Sequence, residues 1–226
     1  MQKHNYILLV ALTMCFVTLS FSQHTRYNIQ NGIGLQGGIT QFDILTDNFQ
    51  TQKGNGWIAG LNATVDLPHK WYTVSYSMLL SESNIEVYGI ESMVSSVFKP
   101  IDYKLMAVQV GFTFHIKLID QNLMLEIGPQ LQYNSELQLK DESLQNYFID
   151  GLDSITAHDI QSINKFNANG MLGASVGVGT FRLRAQYFYG LTNMLNKLNE
   201  KDFNSSFNEK FKGNQSMLAL TAMFTF

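Results

Sequence analysis

The last twelve residues, QSMLALTAMFTF, constrain this chain more than any other stretch. Leu218, Leu220, Ala222, Phe224 and Phe226 fall on one side of an extended strand. Met217, Ala219, Thr221, Met223 and Thr225 fall on the other. Side chains alternate across a strand with a period of two, so one face is uniformly apolar and the other small or weakly polar. A half-solvated sheet would place charges on that second face. Their absence points to a strand whose apolar side meets lipid and whose other side looks into a closed barrel.

Composition agrees. Only 15% of the 226 residues are charged, against about 25% in a typical soluble domain. No apolar run beyond the first two dozen residues is long enough for a membrane helix. Low charge without a membrane helix fits a transmembrane β-barrel, whose apolar residues are spread at every second position. The length suits one domain.

The start of the chain reads as an export signal. Lys3 and His4 precede the apolar run YILLVALTMCFVTLSF, and Ser20 and Ser22 supply small residues at the two positions a signal peptidase reads. Cleavage is expected after Ser22, so 1–22 is a signal peptide and 23–226 the barrel domain. Cys15, the one cysteine, follows Met14 rather than the small residue a lipoprotein site needs. The mature chain then has no thiol chemistry and no disulfide. Losing Lys3 takes the formal charge from 15 − 18 = −3 to 14 − 18 = −4. That mild acidity gives no reason to expect nucleic acid as a partner.

Eight strands are expected, near 31–41, 57–67, 71–82, 103–116, 122–133, 166–178, 180–190 and 215–226. Short links at 68–70, 118–121 and 179–180 alternate with long ones at 42–56, 83–102, 134–165 and 191–214. Tight periplasmic turns alternating with larger extracellular loops mark an outer-membrane barrel. The fold class predicted is therefore all-β, an eight-stranded antiparallel up-and-down transmembrane barrel with both ends periplasmic. Closure leaves no unpaired edge in the bilayer.

Each strand sorts into two faces. Trp57, Ala59, Leu61, Ala63 and Val65 oppose Gly60, Asn62, Thr64 and Asp66; Val108, Val110, Phe112, Phe114 and Ile116 oppose Gln109, Gly111, Thr113 and His115. Leu123, Leu125, Ile127, Leu131 and Tyr133 oppose Glu126, Gly128, Gln130 and Gln132; Phe181, Leu183, Ala185, Tyr187 and Tyr189 oppose Arg182, Arg184 and Gln186. The apolar faces carry no charge. Trp57, Trp71, Tyr72, Tyr133, Tyr187, Tyr189 and Phe226 lie near strand ends, where amphipathic rings favour the headgroup level. A soluble lipocalin-like barrel would also alternate, but its outward face would need the charges that this chain keeps in its links.

The strings LMLEIGPQLQY and NANGMLGASVGVGTFRLRAQYFYGLTNM, with the leader and the terminal MFTF, resemble the PorT-like outer-membrane β-barrel family of Bacteroidota. The matching positions are Glu126, Gly128, Pro129, the glycine-rich run 170–179, and Tyr187 through Gly190, Leu191, Thr192 and Asn193. The resemblance spans the mature chain. It implies a barrel in the outer membrane and, faintly, an accessory role in type IX secretion and gliding. Pro129 removes a ladder donor from a strand, so a bulge or a local break in pairing is expected at Gly128-Pro129.

His115, Glu126, Arg182 and Arg184 all face inward near one end. Eight strands leave a lumen that side chains fill, and buried charges need partners. The four are read as a structural salt-bridge plug. The sharper alternative is a catalytic His–Glu pair. No catalytic, cofactor or metal residue is assigned: the five His at 4, 24, 69, 115 and 158 show no ligand spacing, and GASVGVGT leads into another strand rather than a phosphate-binding helix.

Two links stand out. The third carries Glu136, Asp141, Glu142, Asp150, Asp153 and Asp159 against Lys140 and Lys165, a balance of 2 − 6 = −4. The fourth has Leu191, Met194, Leu195, Leu198, Phe203, Phe207 and Phe211 at helical spacing. This apolar face is expected to pack on the barrel rim, the alternative being a partner-binding helix. The function that follows is a non-enzymatic outer-membrane barrel serving an envelope or secretion assembly through its loops. Its alternatives are a small transport or ligand-binding barrel and, third, a lipid-modifying enzyme.

Overall fold

Eight long strands close on themselves in an antiparallel ring. The computed structural model describes residues 30–92, 97–152, 155–201 and 210–226; the signal peptide expected at 1–22 lies outside them. The strands are β1 (Gln30–Leu45), β2 (Thr51–Asp66), β3 (Tyr72–Ile90), β4 (Phe98–Ile119), β5 (Leu123–Asn134), two short pieces β6 (Gln138–Leu139) and β7 (Phe148–Ile149), then β8 (Phe166–Val178), β9 (Phe181–Gly190) and β10 (Asn214–Thr225). Neighbours in sequence pair, and β10 closes on β1 from Gly34↔Thr225 to Leu45↔Asn214. β6 and β7 add only two-residue ladders, to β4 and β3.

Three tight turns gather at one end. Lys70 N–H donates to the Leu67 carbonyl at 2.9 Å, and Asn122 N–H to that of Ile119 at 2.8 Å. The third turn holds Gly179 at φ 61, a conformation glycine adopts without steric cost.

The faces follow the alternation. Ile33, Ile39, Leu61, Val110, Ile127, Leu172, Leu183 and Leu220 are exposed on the outer wall, while Gln36, Asn62, Gln109, Gln130, Arg184 and Thr221 are buried. Aromatic clusters stand at both ends of this apolar band. Tyr72 stacks on Phe114 at 4.9 Å beside Trp71 near the tight turns, and Tyr133 meets Phe166 edge-on at 4.9 Å near the long loops.

Two of the four long links are shorter than expected. Residues 46–50 join β1 to β2, and β3 and β4 extend as a hairpin to Ile90 and Phe98. The reason is a reversal of polarity with height. Along β3, Ile85 and Val87 point inward and are buried while Glu82, Glu86 and Tyr88 point outward. Ile101, Tyr103 and Leu105 do the same on β4. Beyond the apolar band the barrel keeps its alternation but is apolar inside, because its outer wall there meets water. The polar residues that suggested loops are the solvated face of strands.

The inner apolar surface is capped from above. Leu137, Leu144, Ile149, Leu152, Ile155, Ala157, Ile160 and Ile163 of the third link join one core with Phe42, Ile44, Ile85, Ile101 and Tyr103. Tyr103 Oη donates to the Ala157 carbonyl at 2.9 Å. Among its described residues the fourth link forms one short 3-10 segment (Asn196–Glu200), and Met194, Leu195, Leu198 and Phe211 enter the same core. These residues pack into the barrel mouth, as the favoured reading expected; Leu191 is exposed, and Phe203 and Phe207 lie outside the described residues.

At Pro129 the ladder to β4 is interrupted. Gly111↔Gln130 and Phe114↔Ile127 pair, the positions between them do not, and no residue is inserted. This is a local break rather than a bulge. Pairing to β8 runs through without interruption. Gly128 is obligatory here, since a Cβ would stand 1.9 Å from the Phe112 carbonyl oxygen.

Candidate functional site

The lumen is layered. Deepest in the wall-to-wall packing, Arg184 holds Glu126. Its Nε donates to Oε1 and Oε2 at 3.1 Å each, and Nη2 donates to Oε2 at 2.8 Å. Both side chains are almost fully buried. Gln186 Nε2 adds a bond to Oε2 at 2.8 Å, and Arg184 Nη1 reaches past β10 to Gln36 Oε1 on β1 at 2.5 Å. A planar guanidinium gripping a carboxylate through several parallel bonds is the geometry in which a buried pair is satisfied.

His115 sits beside them. Its Nδ1 is 3.4 Å from Glu126 Oε1, an ion-pair distance beyond a well-formed hydrogen bond. Its Nε2 is 2.7 Å from Ser75 Oγ. Ser75, His115 and Glu126 thus line up in the order of a nucleophile, base and acid. Ser75 is completely buried, however, and Glu126 is already neutralised by Arg184. A reacting carbonyl has nowhere to stand beside the serine.

Arg182 does not join the cluster. It lies one inward position nearer the tight turns, where Nη1 donates to Ser175 Oγ at 3.0 Å and Nη2 to the Gln121 carbonyl at 2.5 Å. Glu126 is one carboxylate between two arginines, and its register with β8 and β9 gives it to Arg184. The sequence reading brought both arginines to Glu126; the structure brings one.

Above the charges lies a sheet of amides. Gln109 Nε2 donates to Ser81 Oγ at 3.1 Å and to Gln132 Oε1 at 3.2 Å, Gln130 Nε2 donates to Gln109 Oε1 at 3.0 Å, and Gln132 Nε2 spans to Gln215 Oε1 at 2.6 Å. Asn169 ties Gln130 and Gln132 together at 3.0 and 2.9 Å. Alternation alone puts Gln109, Gln130 and Gln132 inward, but only strand register brings in Asn169 and Gln215. Between these layers a void of about 10 Å3, lined by Gln36, Gln130, Arg184 and Phe188 among others, is barely the space of one water.

A second ion pair guards the tight-turn end. Lys117 Nζ meets Asp66 Oδ1 at 2.7 Å, Thr73 Oγ1 donates to the same oxygen at 2.6 Å, and Gln121 Nε2 donates to Oδ2. Asp66 was legible as inward-facing; Lys117 as its partner was not, since the two stand on β2 and β4 with β3 between them and alternation alone does not set their relative height.

The motif residues near the mouth act as stitches. Thr192 Oγ1 donates to Asn167 Oδ1 at 2.9 Å and accepts from Ala168 N–H at 3.1 Å. Asn193 Oδ1 accepts from the N–H groups of Leu195 at 3.0 Å and Gly213 at 2.8 Å, while Nδ2 donates to the Phe211 carbonyl at 2.7 Å. Gly190 leaves room for the β10 backbone, 2.7 Å from where its Cβ would lie. Leu191 points outward, and its N–H donates to the Ala168 carbonyl at 2.8 Å.

A closed eight-stranded ring with an apolar outer band is matched by a family model described as "Outer membrane protein beta-barrel domain" over residues 21–196. The chain belongs to this outer-membrane β-barrel family. Its place is the outer membrane, with the tight turns periplasmic and the long loops extracellular. Solved structures similar to this barrel include the Neisserial surface protein A, at 10% identity, covering 86% of this chain and 97% of that one, with TM-score 0.49. Ail, the attachment invasion locus protein of Yersinia pestis, solved with the heparin analogue sucrose octasulfate, is 11% identical, covers 87% and 99%, and has TM-score 0.43. The same Ail protein in a phospholipid bilayer nanodisc is 13% identical, covering 87% of this chain and 100% of that one, with TM-score 0.38. No curated protein sequence matches the chain.

Proposed function

We propose that the protein is a non-enzymatic outer-membrane barrel that serves as a structural or accessory component of an envelope assembly, in the direction of type IX secretion that its PorT-like resemblance implies. The observation that carries this reading is the filled lumen: an ion-paired layer, an amide layer and an apolar cap leave no continuous passage among the described residues. What the molecule offers to others is then its exterior. On the extracellular side the apolar residues of the third loop turn inward while Glu136, Asp141 and Glu142 stay exposed. That acidic rim suits a basic protein surface or a cation-bridged partner.

Two measurements test it. Purified protein in a planar bilayer is expected to show no conductance steps; stable steps would favour transport instead. In cells, a photoreactive label on Asp150→Cys is expected to crosslink an envelope protein, and the same label on Lys70→Cys in the periplasmic turn is not. Crosslinks from the turn alone would place the working surface on the wrong side. An enzymatic reading predicts that His115→Ala alters outer-membrane lipid while the barrel still folds.

A further inference from the structure

At the periplasmic end the lumen opens into a cavity of about 240 Å3, far more than one water requires. Arg182 lines it, together with Asp66, His115, Met124, Met223 and Phe226. The charges do not cancel. Asp66 is matched by Lys117 at 2.7 Å, and Glu126, behind His115, is matched by Arg184 at 2.8 Å. Arg182 has no carboxylate within salt-bridge distance among the described residues. Its two recorded partners, Ser175 Oγ and the Gln121 carbonyl, are neutral, and a guanidinium has more N–H donors than these use.

The barrel is built around this side chain. Gly177 faces Arg182 across the β8–β9 ladder, and a Cβ there would stand 3.0 Å from both Cζ and Nη2. The missing side chain gives the guanidinium its seat, and the Gln121 carbonyl fixes its plane. A half-buried cation held this way keeps its remaining donors in the fork arrangement that fits a carboxylate or a phosphate. Met124, Met223 and Phe226 give the wall an apolar patch beside the neutral polar groups of Thr73, Gln121 and Thr180.

We propose that this periplasmic vestibule binds a small anion, a carboxylate or phosphate on a short apolar chain, with Arg182 as its anchor. The site is independent of the extracellular surface invoked above, so either reading can fail without the other. The test uses the full-length barrel folded in detergent with carbon-13 methyl-labelled methionine, titrated with butyrate and with butyl phosphate against chloride at equal ionic strength. Met124 and Met223 resonances are expected to shift saturably, while Met78 on the lipid face stays still. Saturation by butyrate alone assigns a carboxylate, by butyl phosphate alone a phosphate, and by both a site that reads charge and tail. Arg182→Gln is expected to lose the saturable shift, and Arg182→Lys to keep it at several-fold weaker affinity, with heat-modifiable gel migration showing that each variant folds. Should Arg182→Gln fail to fold, Arg182→Lys carries the comparison. No saturable shift with either probe, or an undiminished one in Arg182→Gln or Arg182→Lys, overturns the proposal.

Discussion

Arg184 Nη2 and Glu126 Oε2 meet 2.8 Å apart in the middle of the wall-to-wall packing, with neither side chain more than 1% exposed. This pair joins β9 to β5 through the lumen, across the intervening β8. Removing one partner leaves the other charged and dry, which costs far more than the pair contributes when intact.

Glu126→Ala is accordingly expected to destabilise the folded barrel by about 3–5 kcal/mol. Glu142→Ala, on the exposed third loop, should stay within about 0.5 kcal/mol of the parent. Urea unfolding of both variants in the same detergent measures the difference. Coincident unfolding curves would mean that the interior pair carries no stability.

Gly128→Ala tests the break at Pro129. A methyl group there would meet the Phe112 carbonyl oxygen at 1.9 Å, a backbone atom that cannot swing aside. The expected loss is at least the roughly 1–3 kcal/mol typical of overpacking, with a lower yield of heat-modifiable protein. Gly170→Ala is the control, since its nearest neighbour is the flexible Leu191 side chain at 3.9 Å. Equal yields would show that β4 and β5 can separate at this point without penalty.

Asn193→Ala should loosen the extracellular cap without opening the barrel. Its side chain satisfies two backbone donors and one backbone acceptor on two stretches of the fourth loop, at Leu195 and at 211–213. Losing them is worth about 1–3 kcal/mol locally. Hydrogen exchange at the Leu195 and Gly213 amides should accelerate while β9 amides keep their protection. Asn193→Asp retains the accepting oxygen, so those two amides should stay protected there.

The ring, its strand order and the inward or outward sense of each residue were legible because a bilayer demands strict alternation. Glu126, Arg184 and His115 could be placed together from parity and depth alone. Parity does not give register, so it could not choose between Arg182 and Arg184, nor bring Lys117 to Asp66 or Gln215 to Gln132. The height of the barrel was misread for a different reason. Above the bilayer the solvent outside changes from lipid to water, and Glu82, Glu86 and Asp102 become ordinary outward residues of β3 and β4. Polarity that marks a loop inside a membrane band marks a wall beyond it. The buried face of the third loop was hidden in the same way, because Ile155, Ile160 and Ile163 are spaced for a cap rather than for a helix or a strand, whereas that of the fourth showed in Met194, Leu195 and Leu198.

That change of solvent gives the last prediction. Ile101 and Ile127 are the same residue type on neighbouring strands of one barrel, one wholly buried under the cap and the other about half exposed on the outer wall. Ile101→Ala removes contacts from a packed interior and should cost about 2–5 kcal/mol. Ile127→Ala trades contacts with mobile acyl chains or detergent and should cost clearly less. The order inverts for charge tolerance by position rather than by residue type. Ile127→Lys puts an ammonium into the lipid band, at about 2–4 kcal/mol near the midplane, whereas Glu86→Lys, on the outward face of the β3 extension, meets water and should be nearly neutral. Equilibrium unfolding of the four variants in lipid vesicles decides the matter. Should Glu86→Lys cost as much as Ile127→Lys, the upper part of β3 is inside the bilayer, and the boundary drawn between apolar wall and apolar core is misplaced.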